Sequence, residues 1–240
     1  ESNPELAIIA GGDGTVSSVL GYLAGSTVTV GIIPLGTTNN FARSLNLPLS
    51  IPEAVQAILA SQAHPVDLGL INKRPFANVV GIGLSAAIAA GITNRHKKLL
   101  GRLAYALTGA VQLFRHRPFV VTMSDPDGEL KASYETHQVI IANGSYHAGR
   151  QIAQDAQVDN RELVLFPLGG PSRRSLILHT LDFYLGRRKK IVHSPYLTGK
   201  HITVTLSRAQ PLEIDGEPHP ASTTLRASVA PKIIKIRYAP

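Results

Sequence analysis

The sequence predicts an α/β domain followed by a β-rich domain. Over residues 1–64, short β-branched runs alternate with segments of helical character, which is typical of a parallel sheet with helices between its strands. From about residue 65, strand-like runs separated by Asp, Gly, Asn and Pro turns dominate, which favours an antiparallel, sandwich-like domain over residues 65–240. We expect the last strand to return to the first domain, whose parallel sheet is expected to be incomplete at its N-terminus.

The individual elements follow from apolar spacing and turn residues. In the first domain the strands and helices are predicted, in order, at residues 6–10, 16–24, 28–33, 41–45 and 52–62. In the second domain strands are predicted at residues 75–80, 119–123, 130–135, 138–142, 162–166, 201–206, 210–214 and 233–238. Helices are expected near residues 86–115 and 172–186. An apolar stripe over residues 99–114 suits a membrane or an acyl-chain pocket, but packing on the β domain is the favoured interpretation.

The composition favours a cytoplasmic protein that meets anionic partners. The 240 residues include no Cys, which excludes disulfides and thiolate metal sites, and no apolar run reaches transmembrane length. The net charge is +8, with basic clusters at residues 94–98, 115–117 and 187–190 that suit anionic lipid headgroups, although a solvated helix end better explains any single cluster. The absence of Trp and an aromatic content of 5% argue against nucleic acid as a partner. The His residues lack the spacing of zinc ligands.

A glycine-rich turn follows the first predicted strand. Gly11, Gly12 and Gly14 surround Asp13 and precede Thr15 at a strand-to-helix junction. Glycine lets the backbone approach a ligand closely, and the free N–H groups of a helix start favour a phosphate. Because an acid alone would repel phosphate, we expect Asp13 to hold a metal ion that a nucleotide brings. A tight turn with Asp13 as a helix cap is the alternative.

A second turn of the same kind follows the next predicted strand. Gly36 precedes Thr37, Thr38 and Asn40, whose hydroxyl and amide oxygens can reach phosphate or the water shell of a metal ion. The same residue types also suit a helix N-cap without any function. Because both turns follow strands of one parallel sheet, we expect them to lie together at the carboxyl edge, where open α/β folds bind ligands.

The tripeptide Asp-Gly-Glu occurs twice. Residues 127–129 lie between two predicted strands and are predicted to be a hairpin turn without function. Residues 215–217 follow the strand that ends at Ile214, and the residues alone fit a second hairpin turn as well as a catalytic acid. Asp67, near the predicted domain junction, is by itself equally well explained as a surface acid at a strand start.

These motifs together resemble the catalytic domain of the diacylglycerol kinase, sphingosine kinase and bacterial lipid kinase family. The resemblance is carried by the two glycine turns and by the segments at residues 66–69, 76–85, 142–144, 151–156 and 215–217, so it covers nearly the whole chain. The first turn alone is shared with NAD kinases and phosphofructokinases, whereas the combination is specific. The resemblance therefore implies an NAD kinase/diacylglycerol kinase-like fold.

The resemblance also implies ATP and Mg²⁺ as cofactors and a lipid hydroxyl as the acceptor. Glu217 is the implied proton acceptor, with Asp215 and Asp13 as further catalytic residues. The implied nucleotide-binding residues are Gly11, Gly12, Asp13, Gly14, Thr15, Gly36, Thr37, Thr38 and Asn40, and the implied magnesium ligands, through water, are Asp13, Asn40 and Asp67. We expect the protein to bind peripherally to an anionic membrane. A homodimer is compatible with this expectation. The alternatives are an NAD kinase-like enzyme with a soluble acceptor and a lipid-binding regulatory protein without turnover.

Three positions depart from the family pattern. Asn40 stands where an Asp is frequent, which weakens metal binding. Asn160 stands where some bacterial members hold a structural Mg²⁺ through an Asp. Ser85 stands where many relatives carry an acid that touches the lipid, so the lipid class is not transferred. In the family a strand and a helix with a nucleotide-contacting Asn-Pro motif precede this point, so part of the ATP site is expected to be missing from this sequence.

Overall fold

The computed structural model describes residues 4–91, 111–113, 115–143, 146–147, 150–151, 162–184 and 197–238. The described strands are β1 (Leu6–Gly11), β2 (Thr29–Pro34), β3 (Ala63–Ile71), β4 (Arg74–Phe76), β5 (Val79–Gly83), β6 (Phe119–Ser124), β7 (Leu130–Thr136), β8 (Gln138–Ala142), β9 (Tyr146–His147), β10 (Arg150–Gln151), β11 (Leu163–Pro167), β12 (Leu197–Gly199), β13 (His201–Ile214) and β14 (Glu217–Arg237). The described helices are α1 (Asp13–Leu23), α2 (Asn40–Ser44), α3 (Ile51–Ala60), α4 (Leu84–Gly91) and α5 (Arg173–Tyr184).

Twelve of these strands form one mixed sheet. Its order is β1–β2–β14–β13–β5–β8–β11–β12, with β3 and β4 branching from β14, and β6 and β7 branching from β13. β1, β2 and the end of β14 run parallel, whereas β14 is antiparallel to β13 and to β3. The predicted class of an α/β part followed by a sandwich-like β part is confirmed. The sheet of the first part is mixed rather than parallel, because β14 brings β3 alongside it.

Buried apolar clusters stabilise each part of the fold. In the first part, Val16 and Leu20 of α1 belong to one cluster with Ile32 of β2 and Ile236 of β14. α3 covers the opposite face of β2, since a Cβ on Gly31 would lie 2.9 Å from the Cγ2 of Ile58. The core of the β part includes Val80, Ile82, Val121, Met123, Ile141, Leu165, Val204 and Leu225. Each large side chain buried in this way contributes about 1.5–3 kcal/mol.

The strand predicted over residues 75–80 is interrupted in the structure. β4 ends at Phe76 and β5 begins at Val79. Between them the backbone N–H groups of Ala77 and Asn78 donate to the carboxylate of Asp215 rather than to a neighbouring strand. This partner lies 138 positions later along the chain, so the local pattern could not show the break.

The strands of the C-terminal third are longer than predicted. The strands expected at residues 201–206 and 210–214 are one strand, β13, with register shifts on either side of Gln210. The strand expected at residues 233–238 is the end of β14, which begins at Glu217. Pro218, Pro220 and Pro231 interrupt the strand pattern there, because proline cannot donate a ladder hydrogen bond.

The helices predicted in the β part are confirmed where the structure describes them. α4 begins two residues before the expected range of 86–115 and ends inside it, the helical residues 111–113 and 115 lie within that range, and α5 lies within 172–186. Most of the apolar stripe over residues 99–114 lies outside the described residues, as do the basic clusters at 94–98 and 187–190. Within the described part of the chain, no helix is long and apolar enough to cross a bilayer.

Candidate active site

The two glycine turns lie against each other, backbone to backbone. A Cβ on Gly36 would lie 2.6 Å from the Cα of Gly12, and a Cβ on Gly12 would lie 3.1 Å from the Cα of Gly36. The N–H of Leu35 donates to the carbonyl of Gly11 at 2.9 Å. The expectation that the turns meet at one edge of the sheet is confirmed. Gly12 and Gly36 are required by this close approach, whether or not a ligand binds.

Asp13 joins the two turns through its carboxylate. Its Oδ2 accepts a hydrogen bond from the hydroxyl of Thr38 at 2.8 Å, and its Oδ1 accepts one from the backbone N–H of Phe41 at 3.2 Å. Asp13 therefore ties the start of α1 to the start of α2. A catalytic or metal-binding role for Asp13 stays a prediction.

Asn39 shapes the second turn, although the sequence interpretation did not single it out. It has a left-handed backbone conformation with φ 47°, and its side chain closes a ring with the backbone of Gly36. The Oδ1 of Asn39 accepts from the N–H of Gly36, and its Nδ2 donates to the carbonyl of Gly36, both at 2.9 Å. Asn tolerates this conformation better than most residues, so its position in the turn was a usable signal. The predicted ligand Asn40 is buried beside it, and Thr37 is exposed.

The first turn of α1 is open. Gly14 and Thr15 are exposed, and a Cβ on Gly14 would meet no heavy atom within 4 Å. No side chain caps this helix start. The first N–H groups of a helix have no partner within the helix, so they can donate hydrogen bonds to a bound anion.

A cleft of about 230 Å³ adjoins this helix start. It is lined by α1, by the start of β4 and by the turn between β13 and β14, through residues Gly14, Ser17, Ser18, Gly21, Arg74, Pro75, Ile214, Asp215, Glu217 and His219. Ser17 and Asp215, which are in contact here, are 198 positions apart in the sequence. The fold thus brings the first glycine turn and the second Asp-Gly-Glu tripeptide to the same cleft.

The carboxylate of Asp215 anchors the turn to the rest of the protein. It accepts hydrogen bonds from the backbone N–H groups of Ala77 at 2.7 Å, Asn78 at 2.9 Å and Val79 at 2.8 Å, and from the hydroxyl of Ser17. Burial raises the pKa of Asp215, and these hydrogen bonds oppose that rise because they favour the carboxylate. With four donors, Asp215 acts as the residue that holds the turn on α1 and β5. A direct catalytic role for it stays a prediction.

Glu217 begins β14 at the mouth of the cleft. Positive φ angles at Asp215 (48°) and Gly216 (89°), with Ile214 paired to Glu217, define a two-residue type I′ hairpin. The side chain of Glu217 is exposed and lines the same cleft as Gly14. These residues therefore form both a hairpin turn and part of a cleft. The role of Glu217 as a proton acceptor stays a prediction.

Two basic side chains, Arg74 and His219, also line the cleft, and neither was singled out as a site residue. The Nη1 of Arg74 lies 3.4 Å from the Nδ1 of His219. Since a guanidinium group only donates, Nδ1 is the acceptor and the proton of the neutral ring is on Nε2. The position of His219 two residues after Glu217 on one strand, and therefore on the same face, was a usable signal.

Ser85 and Glu213 lie side by side over β5. A Cβ on Gly81 would lie 2.7 Å from the Oγ of Ser85 and 3.8 Å from the Cβ of Glu213. Burial, and then the charge of Asp215, raises the pKa of Glu213. The buried Oγ of Ser85 has no hydrogen-bond partner.

Asp67 is buried within β3, so its interpretation as a surface acid is wrong. Its Oδ1 accepts from the N–H of Lys232 at 2.6 Å, whereas its Oδ2 has no hydrogen-bond partner. The Nδ2 of Asn143 donates to the backbone carbonyl of Asp67 at 3.1 Å. Among the residues that the structure describes, no group of three or more His, Asp or Glu side chains is arranged to hold a metal ion. Asn160 lies outside the described residues.

Two glycine turns lie at the edge of a mixed sheet and face a β sandwich-like part across a cleft. This arrangement defines a phosphotransferase of the diacylglycerol kinase and NAD kinase fold. Residues 1–71 match the diacylglycerol kinase catalytic domain, and residues 78–238 match the YegS C-terminal NAD kinase beta sandwich-like domain. The chain belongs to the family of bacterial diacylglycerol kinases and YegS-like lipid kinases, and is a kinase of that class.

Individual relatives agree with this assignment. The chain is 30% identical over 216 residues to the diacylglycerol kinase of Bacillus subtilis (strain 168), covering 89% of this chain and 71% of that protein. It is 31% identical over 234 residues to a protein of Pseudomonas aeruginosa (strain UCBPP-PA14) named as a YegS-like lipid kinase, covering 95% and 75%. A diacylglycerol kinase structure from Bacillus anthracis str. Sterne has a TM-score of 0.74 at 25% identity, covering 98% and 78%. Yeast NADH kinase, with a TM-score of 0.56 at 12% identity and coverage of 97% and 60%, shares the fold alone.

Proposed function

We propose that the protein transfers the γ-phosphoryl group of ATP to the hydroxyl of a lipid, with Glu217 as the proton acceptor. The observation that carries this proposal is that Glu217 lines the same cleft as the open start of α1. In the reaction the hydroxyl oxygen bonds to the γ-phosphorus, the bond from that phosphorus to the bridging oxygen breaks, and ADP leaves. The hydroxyl proton passes to the carboxylate of Glu217, which makes the oxygen a better nucleophile.

The nucleotide phosphates are assigned to the first turn of α1. Its N–H groups and the positive end of the helix dipole favour an anion, and the space over Gly14 lets the phosphates approach the backbone. Arg74 adds positive charge on the other side of the cleft. Mg²⁺ would be held through water by Asp13 and Asp67, and it would screen the phosphate charge. Such a site fits the chain because the Oδ2 of Asp67 is buried without a partner.

Asp215 is assigned a positioning role. Its hydrogen bonds to β5 and to α1 hold the type I′ turn at one angle, and Glu217 is the next residue after the turn. A rigid turn keeps the proton acceptor at a constant distance from the phosphate site, which is what phosphoryl transfer requires of the protein.

The acceptor is tested with labelled ATP and three candidate acceptors: dioctanoylglycerol in detergent micelles, a total lipid extract, and NAD. Label in a lipid product supports the proposal. Label in NAD alone would assign the enzyme to a soluble acceptor, and ATP binding without transfer to any acceptor would contradict a catalytic function.

The proton acceptor is tested by Glu217→Gln, which keeps the shape of the side chain and removes the base. We expect turnover to fall by roughly two to four orders of magnitude while ATP binding changes little. Glu129→Gln, the same change in the other Asp-Gly-Glu tripeptide, is the matched control and is expected to leave turnover unchanged. Equal turnover in the wild type and Glu217→Gln would refute the assignment.

The phosphate site is tested by Gly14→Asp rather than by a change at Gly12, whose contact with Gly36 makes any side chain disruptive. An acid in the first turn favours the helix but repels a triphosphate. We therefore expect ATP affinity to fall at least roughly tenfold without a lower melting temperature. Ser26→Asp adds the same charge beyond the other end of α1, and nucleotide affinity should stay at the wild-type value. Unchanged ATP affinity in Gly14→Asp would move the phosphate site elsewhere.

A further inference from the structure

A second concavity, of about 710 Å³, lies on the outer face of the β part. Thr203 of β13 pairs with Ser124 of β6 and with Arg226 of β14, so the three side chains form one row across three strands. Ile202 and Val204, which alternate with Thr203 along β13, belong to the buried core on the other face. We call this concavity the outer groove, and the lining residues that matter here are Asn72, Lys73, Ser124, Thr203, Arg226 and Ser228.

Two hairpin turns form the walls of the outer groove. One is the turn between β6 and β7, and the other is the turn between β3 and β4, which consists of Asn72 and Lys73. The second turn is fastened to β14 by two hydrogen bonds of 2.9 Å, because the N–H of Asn72 donates to the carbonyl of Arg226 and its Oδ1 accepts from the N–H of Arg226. The side chains of Lys73 and Arg226 are thereby held at the same groove.

Lys73 occupies a backbone position that favours glycine. Ile71 pairs with Arg74, and the two residues between them, Asn72 and Lys73, have φ of 48° and 71°, which defines a type I′ hairpin. Asn suits the first of these positions, but Gly is preferred at the second, because a lysine in the left-handed conformation is sterically strained. The turn itself therefore does not explain a lysine, and we look for the explanation in its side chain.

Two cations give the outer groove a positive charge. Lys73 and Arg226 are both exposed, and among the residues that the structure describes neither forms an ion pair with a carboxylate. Asp125, which also lines the groove, is already paired with the Nζ of Lys131 at 3.2 Å. The charge of the groove therefore suits an anion.

We propose that the outer groove binds a water-soluble polyol phosphate, which is a phosphate ester of a hydroxylated carbon framework. Lys73 and Arg226 bind the phosphate, since a guanidinium group fits two phosphate oxygens at once. The hydroxyls of Ser124, Thr203 and Ser228 both donate and accept, as the hydroxyls of a polyol do. None of the described lining residues is Phe, Tyr or Trp, so a nucleobase would have no such ring to stack on. The volume is within the range of about 300–1,000 Å³ that is typical of small-molecule sites.

The outer groove is distinct from the candidate active site. Of the described residues none lines both, and the hairpin of β3 and β4 lies between them, with Lys73 at the groove and Arg74 at the cleft. Glu217 begins β14 at the cleft, whereas Arg226 lies farther along the same strand. The proposal therefore does not depend on the kinase function, and its test requires no turnover.

The test is isothermal titration calorimetry of the full chain with two probes, fructose 1,6-bisphosphate and inorganic phosphate. We expect saturable binding of the bisphosphate, and roughly 30-fold weaker binding to Lys73→Gln/Arg226→Gln, which removes both cations. Lys235→Gln/Arg174→Gln is the matched control, because it removes an exposed lysine and an exposed arginine outside the groove, and its affinity should equal that of the wild type. Absence of saturable binding at millimolar bisphosphate, or an equal loss in the control, would overturn the proposal.

Two further variants separate the roles of the hydroxyls and of the strained turn. Thr203→Val should weaken binding of the bisphosphate severalfold and leave binding of inorganic phosphate unchanged, whereas equal effects on both probes would refute a polyol ligand. Lys73→Gly should weaken binding without lowering the melting temperature, since glycine relieves the strain. A lower melting temperature would mean that this lysine serves folding, which would contradict the argument from its backbone conformation.

Competition experiments identify the site and the source of the ligand. Saturating ATP should leave the affinity for the bisphosphate unchanged, and displacement by ATP would place the probe in the cleft and overturn the proposal. Vesicles of phosphatidylglycerol, whose headgroup also carries a phosphate and hydroxyls, should bind the wild type and Lys73→Gln/Arg226→Gln equally. Weaker vesicle binding by that variant with unchanged bisphosphate binding would assign the groove to a lipid headgroup and refute a soluble ligand. Bisphosphate binding as expected, without any lipid phosphorylation, would contradict the proposed kinase function alone.

Discussion

The two Asp-Gly-Glu turns have the same sequence and opposite surroundings. Residues 127–129 close the hairpin of β6 and β7 in solvent, where the Nζ of Lys131 lies 3.2 Å from Asp125 and 2.7 Å from Glu129. Residues 215–217 close the hairpin of β13 and β14 against α1 and β5, where the carboxylate of Asp215 accepts three backbone hydrogen bonds. One turn is held by exposed charges, and the other by buried donors.

The backbone geometry of the two turns also differs. In the solvent-exposed turn at residues 125–128, Pro126 is at the second position and the N–H of Gly128 donates to the carbonyl of Asp125 at 3.1 Å. Gly128 has φ 85°. In the turn at residues 214–217, which lines the cleft, both Asp215 and Gly216 have positive φ. The tripeptide predicts a turn in each case, but the residues packed against the turn determine its chemical environment. Each turn is therefore a matched control for the other.

The largest difference is expected from removing the Asp of each Asp-Gly-Glu tripeptide. Asp215→Ala leaves four donors without an acceptor, at about 1–3 kcal/mol each, while the desolvation cost of the carboxylate disappears with it. We expect the free energy of unfolding in urea to fall by roughly 3 kcal/mol, and turnover to fall with it. Asp127→Ala, at an exposed position, should stay within about 0.5 kcal/mol of the wild type. A comparable loss in both variants would mean that Asp215 does not anchor the turn.

A smaller and equal effect on stability is expected from the two glycines. Gly128 and Gly216 have φ of 85° and 89°, and a Cβ on either would meet no atom within 4 Å. Alanine should therefore cost the same at both positions, about 1–2 kcal/mol for the left-handed conformation. Turnover separates them, because Gly216→Ala displaces Glu217 and should reduce turnover roughly ten- to a hundredfold. If kinetic assays show the same turnover for both variants, the position of Glu217 does not limit the reaction.

The smallest effect is a pH dependence specific to the cleft turn. Burial and the charge of Asp215 raise the pKa of Glu213 above 4.5. A carboxyl group whose pKa is raised on folding adds stability below its unfolded pKa, and this contribution is lost as the pH rises through the folded value. We expect Glu213→Gln to gain stability relative to wild type between pH 4 and pH 7 in urea titrations. The gain should shrink in the Asp215→Ala background, and a gain of the same size there would exclude the charge of Asp215 as a cause.

Several features could be predicted from the sequence because they depend on local backbone requirements. The turns at Gly12 and Gly36 need residues without a side chain, and each lies between a β-branched run and a helix start. The hairpin at residues 127–129 follows from Asp, Pro and Gly in a short span. The fold class and the family follow from the order of such motifs along the chain.

The tertiary structure alone decided which of these residues meet. The interruption between β4 and β5, the anchoring of Asp215 and the position of Arg74 beside His219 depend on hydrogen bonds between residues more than 130 positions apart. The contact between residues 111–113 and α5 likewise exists because the backbone carbonyl of Leu113 accepts a hydrogen bond from the side chain of Arg173. Donors and acceptors that are buried must find partners wherever the fold places them, so these contacts are properties of the packed chain and not of any segment of its sequence.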